Sequence, residues 1–237
     1  MKKDTRLAKY LFMDKDFFKN VGAILFDFEG TLVDFQWNLA EAVQETFEML
    51  RVIGFPTERI QSRKYSALMN EATKIAIELR RSPDEVREKI GAIYDRYDED
   101  ALTRWKLRPN ARHFLSALKA MGIKTGLISN VGKIAMENAF KKMELQRFFD
   151  IVVTRNDVKA LKPSGEGIRL ALSRLQVIKD RALFIGDSLD DIQAAKEAGL
   201  KVMIILGGEN PKTDLLTAQP DYLVNHFAEL LSCFEET

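Results

Sequence analysis

Cysteine is almost missing from this 237-residue chain: Cys233 stands alone, so no internal disulfide can form and no cysteine metal site can be built. That scarcity suits a reducing compartment. Histidine is nearly as rare, and both copies, His113 and His226, fall in helically patterned segments where packing or surface roles are expected. Charge of one sign is not in excess either. The formal net charge is +1, which gives no electrostatic pull toward nucleic acid or a membrane surface. Long apolar runs are absent too. The N-terminus carries Lys2, Lys3, Asp4, Arg6, Lys9, Asp14, Lys15 and Asp16 with no uninterrupted hydrophobic stretch after them. Neither a signal peptide nor a membrane span is expected, and a cytoplasmic protein is. No internal repeat and no low-complexity segment occurs.

What the chain does have is ordinary core material, 46% hydrophobic and 30% charged residues, enough for one large α/β domain or a core with a smaller partner. Residues 6–19 carry Leu7, Tyr10, Leu11, Phe17 and Phe18 in loosely helical spacing, and residues 1–17 read as an N-terminal helical extension. Ala23-Ile24-Leu25-Phe26 is a continuous apolar run ended by Asp27, as in a strand buried on both faces. From residue 36 to 106 the pattern changes to long helical periodicity, with Leu39, Val43, Phe47 and Leu50 on one face. Within it, Ser82-Pro83-Asp84-Glu85 has the form of a capped helix start. Three or four packed helices are expected there, as a cap domain.

After Pro109 strand-like runs alternate with helices: Lys124-Thr125-Gly126-Leu127-Ile128, Ile151-Val152-Val153-Thr154, Ala182-Leu183-Phe184-Ile185-Gly186, Val202-Met203-Ile204-Ile205 and Tyr222-Leu223-Val224. This predicts a doubly wound parallel sheet, an α/β Rossmann-like core made of residues 18–35 and 107–237, interrupted by the helical cap.

Ligands of an open parallel sheet sit beyond the carboxyl ends of its strands. Asp27 and Glu29 follow the first run, Ser129 and Asn130 the second, and Asp187 the fourth, while Lys162 lies in the loop after the third. Clustered carboxylates repel unless a cation lies among them. An oxygen-only donor set suits a hard ion such as Mg2+. A hydroxyl, backbone N–H groups and a lysine are what the equatorial oxygens of a transferring phosphoryl group require. A carboxylate is competent as the nucleophile, giving an aspartyl-phosphate. Phosphoryl transfer uses every member of the set.

Four segments in order resemble the motifs of the haloacid dehalogenase-like superfamily. They are Asp27-Phe28-Glu29-Gly30-Thr31-Leu32-Val33-Asp34, then Leu127-Ile128-Ser129-Asn130, then Leu161-Lys162-Pro163, and Ile185-Gly186-Asp187-Ser188-Leu189-Asp190-Asp191-Ile192. The insert after the first motif resembles the α-helical cap of the branch that includes phosphoglycolate phosphatases and β-phosphoglucomutases. The resemblance implies Asp27 as nucleophile and magnesium ligand. It implies a backbone carbonyl to the metal and a side-chain acid/base from Glu29. Ser129 and the Asn130 N–H would hold the phosphoryl oxygens, and Lys162 would offset the charge of Asp27 and the phosphate. Asp187 would bind magnesium directly or through water. Asp191 would orient Lys162 or a metal-bound water, with Thr31 in support.

One position departs from the usual pattern: Glu29 stands where most phosphatases of the family have aspartate, and it reaches one methylene further. The expected activity is a magnesium-dependent phosphatase acting on a small phosphorylated metabolite, with no nucleic-acid or membrane partner and an open oligomeric state. Mutase chemistry uses the same scaffold. Dehalogenation needs no leaving-group proton and no metal, so Glu29, Asp187 and Asp191 argue against it. The intact nucleophile and lysine argue against a non-catalytic binding module. Asp190, beside Asp191, is expected in solvent, as are Arg63 and Lys64 on a helix of the cap.

Overall fold

The computed structural model describes residues 17–234. Its centre is the apolar run predicted as the first strand. β1 (Ala23–Phe26) is wholly buried and lies mid-sheet, with an apolar layer on each face. A strand placed there has no solvent face, which is why it shows no alternation. β2 (Lys124–Ile128), β3 (Ile151–Val153), β4 (Ala182–Gly186), β5 (Lys201–Ile205) and β6 (Tyr222–Val224) complete a parallel sheet of order β3-β2-β1-β4-β5-β6. The order reverses between β2 and β4 across β1, so the carboxyl ends of these three strands open on the crevice where such sheets bind ligands.

Between β1 and β2 the chain leaves the sheet for α1 (Leu39–Val52), α2 (Tyr65–Glu78) and α3 (Pro83–Arg104), with a short 3-10 turn at Thr57–Arg59, before α4 (Ala111–Ala120) returns it. The expected helical cap is therefore three α-helices. α3 begins as its sequence dictates: the Ser82 hydroxyl accepts from the Glu85 N–H at 3.2 Å, with Pro83 in the first turn. On the remaining crossovers lie α5 (Lys133–Met143), α6 (Glu166–Leu175), α7 (Leu189–Ala198) and α8 (Lys212–Thr217), and α9 (Phe227–Leu231) follows the last strand. α8 lacks a strong apolar periodicity and is absent from the sequence reading.

The helix expected over residues 6–19 falls mostly outside the described residues. Where it enters them, at Phe17 and Phe18, the chain is in a turn. Phe18 is nonetheless a core residue, stacked on Phe234 at 4.9 Å and tilted against Phe114. Among the described residues no helix is long and apolar enough to cross a membrane.

The helical layer is tied to the sheet by buried polar contacts. Asp98 of α3 accepts from the Trp37 indole at 2.9 Å, from the Gly132 N–H at 2.9 Å and from the Arg155 guanidinium at 2.7 Å. Arg155 also donates to the Asn130 carbonyl at 2.8 Å and pairs with Asp95. Asn70 of α2 exchanges two hydrogen bonds with the backbone of Leu161, at 2.8 and 2.9 Å.

Gly126 shows how tightly the sheet is covered: a Cβ there would lie 2.6 Å from Leu25 Cδ2 and 2.9 Å from Ile151 Cγ2. Gly126→Val is expected to destabilise the fold by about 1–3 kcal/mol through overpacking, read as a lowered urea midpoint with an unchanged slope.

Candidate active site

Asp27 is the first residue after β1, and its N–H is fixed by the Ile185 carbonyl at 2.9 Å. Both ladder neighbours end beside it: β4 delivers Asp187 and β2 delivers Ser129, whose N–H donates to the Val153 carbonyl at 2.9 Å. The sheet register alone therefore gathers three of the predicted residues. Lys162 comes from the loop before α6. The side-chain amide of Asn130 locks that loop, accepting from the Lys162 N–H at 3.1 Å and donating to the Lys162 carbonyl at 3.3 Å.

The Lys162 ammonium is buried and donates to both Asp27 and Asp191, the latter at 2.7 Å. Burial alone would depress its pKa, but Asp191 and Asp27 outweigh that, and it is held protonated. Asp191 is saturated. One oxygen takes the lysine, while the other accepts from the Asp187 and Ser188 N–H groups at 3.0 and 3.1 Å and from the Ser188 hydroxyl at 2.8 Å. The Ser188–Asp191 pair is the capping box of α7, so helix initiation also aims the carboxylate.

Asp187 accepts from the Thr31 hydroxyl at 3.0 Å and from the Glu209 N–H at 2.6 Å. Gly30, at φ +85°, lets the backbone pass against that carboxylate where a Cβ would collide with it. Burial, then the neighbouring Asp191 and Asp27, push Asp187 well above the usual carboxylate range. Burial also raises Asp27 to about 6, against the pull of Lys162. Oxygens of Asp27, Asp187 and Asp191 lie within 4.8 Å of one another. Three carboxylates beside one ammonium leave two negative charges when all are ionised, and a divalent cation offsets that excess.

Glu29 stands apart from this acidic group. One of its oxygens accepts from the Trp105 indole and from the Gln36 N–H, each at 2.9 Å, and burial pushes its pKa up to about 7. Glu29 still faces the same cavity, together with Asp27, Ser129, Asn130, Lys162 and Asp187. That cavity measures about 30 Å3, with Phe35 and Tyr65 over it. The site is closed.

Sequence reasoning missed several of its walls. Glu209, from the loop after β5, contributes its backbone to Asp187 and its side chain to the cavity. Its place beyond a strand's carboxyl end was the available signal. Asp190 is not the solvent-facing residue expected. It accepts from Lys64 at 3.1 Å and from Ser66 at 2.8 Å, joining the end of the cap's α2 to α7. Lys64 is accordingly committed to Asp190 and Glu209, and Arg63 lies over the Phe47 ring at 4.0 Å. Ser129 does not cap α5. Gly132 does, and the Ser129 hydroxyl instead accepts from the Val131 N–H at 3.2 Å.

Known proteins share this chain's sequence and fold. The family model for haloacid dehalogenase-like hydrolases matches residues 24–205. The chain belongs to that family. It is 31% identical over 238 residues to a phosphoglycolate phosphatase of Salmonella choleraesuis, covering 92% of this chain and 94% of that one. In structure it resembles a hydrolase from Pseudomonas syringae, with a TM-score of 0.66 at 22% identity over 89% of this chain and 96% of that one. It also resembles CbbY from Rhodobacter sphaeroides, solved in complex with phosphate, with a TM-score of 0.59 at 25% identity over the same shares, 89% and 96%. This member of the family is an enzyme of its phosphatase side.

Removing the ammonium strands two buried carboxylates. Lys162→Met is expected to cost about 3–5 kcal/mol of stability in the presence of chelator, measured by urea unfolding against wild type.

Proposed function

We propose that this phosphatase is magnesium-dependent and hydrolyses a small phosphomonoester through an aspartyl-phosphate on Asp27. Residues 36–106 act as the cap domain over a core of residues 18–35 and 107–237. The observation that carries the reading is the buried Lys162 ammonium shared by Asp27 and Asp191, with Asp187 alongside. A carboxylate so placed is fixed in direction, and its charge is offset on one oxygen while the other is left for attack.

The donor set fits a hard divalent cation because it is all oxygen, buried and in excess of negative charge. Asp27, Asp187 and the backbone carbonyl of Glu29 would hold it. Asp191 is already saturated by four donors and serves to orient Lys162. A bound magnesium ion supplies charge neutralisation for the phosphoryl oxygens.

The residues divide the remaining work. Asp27 attacks the phosphorus as the ester P–O bond breaks, while protonated Glu29 gives its proton to the departing alkoxide. Glu29, now ionised, takes a proton from water as the water oxygen attacks the same phosphorus. Inorganic phosphate leaves, and Asp27 is regenerated. Ser129, the Asn130 N–H and Lys162 hold the phosphoryl oxygens through both steps. Phe35 and Tyr65 keep bulk water out of a cavity of about 30 Å3 during the first.

Phosphoglycolate, named for the Salmonella relative, belongs in the first substrate panel. A cytoplasmic setting, with no nucleic-acid or membrane partner, is part of the same reading.

With p-nitrophenyl phosphate and magnesium, Asp27→Asn is expected to lose at least about 10³-fold in kcat, and EDTA to abolish activity until the metal is restored. Full turnover in EDTA, or in Asp27→Asn, would sink the mechanism. Glu29→Gln is expected to lose about 10²-fold or more on an alkyl phosphate, whose poor leaving group needs the proton, and far less on p-nitrophenyl phosphate. Equal losses on both esters would remove the acid/base role.

A further inference from the structure

The chain crosses between sheet and helical cap twice, and the two crossings run side by side. Val33 bridges Leu107 in antiparallel fashion, Asp34 donates its N–H to the Lys106 carbonyl at 3.2 Å, and Arg108 donates to the Leu32 carbonyl at 2.9 Å. The Glu29 side chain is held between them. Its Oε1 accepts the Gln36 N–H from the first crossing and the Trp105 indole N–H from the second, both at 2.9 Å. Arg104, the last residue of α3, closes the ring by donating to the Gln36 carbonyl at 2.9 Å. Among the described residues, Oε2 accepts no hydrogen bond.

Trp105 is itself immobilised. It is buried, it packs edge-on against Phe28 at 5.1 Å, and it follows directly on α3, which Asp98 fastens to the Gly132 N–H and to Arg155. Glutamate carries one more rotatable bond than aspartate, so an acid/base at this position needs an added restraint to hold a proton within reach of the leaving oxygen. Two N–H donors converging on one carboxylate oxygen supply it.

We propose that Trp105 is a positioning residue for proton transfer, pinning Oε1 of Glu29 so that Oε2 exchanges the proton, and only while the cap is seated on the core. The inference rests on the acid/base role proposed for Glu29 and deepens it. Both donors lie at the cap end of the paired crossings and are tied to each other through Arg104, so a displacement of the helical layer carries them together away from Glu29 and releases the carboxylate.

The test is a double-mutant cycle on the full chain with magnesium: wild type, Trp105→Phe, Glu29→Gln and both together, each assayed on p-nitrophenyl phosphate and on glycerol phosphate. Phenylalanine keeps the ring contact with Phe28 and removes the N–H. Trp105→Phe is expected to lower kcat on glycerol phosphate by about 10-fold or more, with less than about 3-fold on p-nitrophenyl phosphate. In the Glu29→Gln background it is expected to add nothing. Equal losses on the two esters, or losses that multiply with those of Glu29→Gln, would overturn the proposal and leave Trp105 a packing residue.

Should Trp105→Phe not fold, benzothienylalanine at position 105 keeps the indole shape without the donor and is judged by the same two criteria. The two readings fail separately. If Glu29→Gln is not selective for the alkyl ester, the acid/base role is wrong. If it is selective and the position 105 variants are not, only the positioning role is.

Discussion

A buried ammonium shared by two buried carboxylates sets the terms for this protein. Lys162 could not be kept charged in the interior without Asp27 and Asp191, and neither carboxylate could stay there without Lys162. The three come from three different parts of the chain, so the pairing forms only when β1, the loop before α6 and the start of α7 are all in place. Asp191 is positioned by the same hydrogen bonds that start its helix, which makes a catalytic geometry out of a local folding signal. Asp187 then adds a third carboxylate beside the one buried ammonium, and the excess of negative charge when all three are ionised is what a divalent cation would offset.

The helical insertion is held by a second set of buried polar groups, and its logic differs from that of the sheet. Each crossing carries one tryptophan whose indole ends on a carboxylate, Trp37 on Asp98 and Trp105 on Glu29. The first joins the crossing to α3, and α3 in turn reaches Arg155 and, through it, the carbonyl of Asn130. The second reaches Glu29 directly. Lys64 and Ser66 add a third tie at Asp190, on the rim of the closed cavity. A cap tied by polar contacts, with hardly more than a water's volume beneath it, is suited to a reaction in which water must be excluded from one step and admitted to the next.

Much of this was legible beforehand because its signals are local. A strand apolar on both faces, ended by an aspartate, describes Asp27 and Asp187 alike, and α3 begins where its sequence places the break. α8 was not legible, being six residues without a clear apolar stripe. Asp190 and Lys64 were read as solvated because surface placement is the usual fate of such residues. Their pairing depends on the start of α2 meeting the start of α7, a contact between segments 124 residues apart for Ser66 and Asp190, and no local pattern reports it.

The four motif residues and the reaction class they imply follow from the chain alone. Strand register brings apolar runs together, and whatever polar residue ends each run arrives at the same rim. The disposition of Glu29 does not follow in that way. Its residue type identifies a proton carrier, but which of its oxygens is free, and that Trp105 and Gln36 hold the other, was decided by two crossings meeting edge to edge. A side chain's identity is set by one position in the sequence. Its direction is set by what the rest of the fold packs against it.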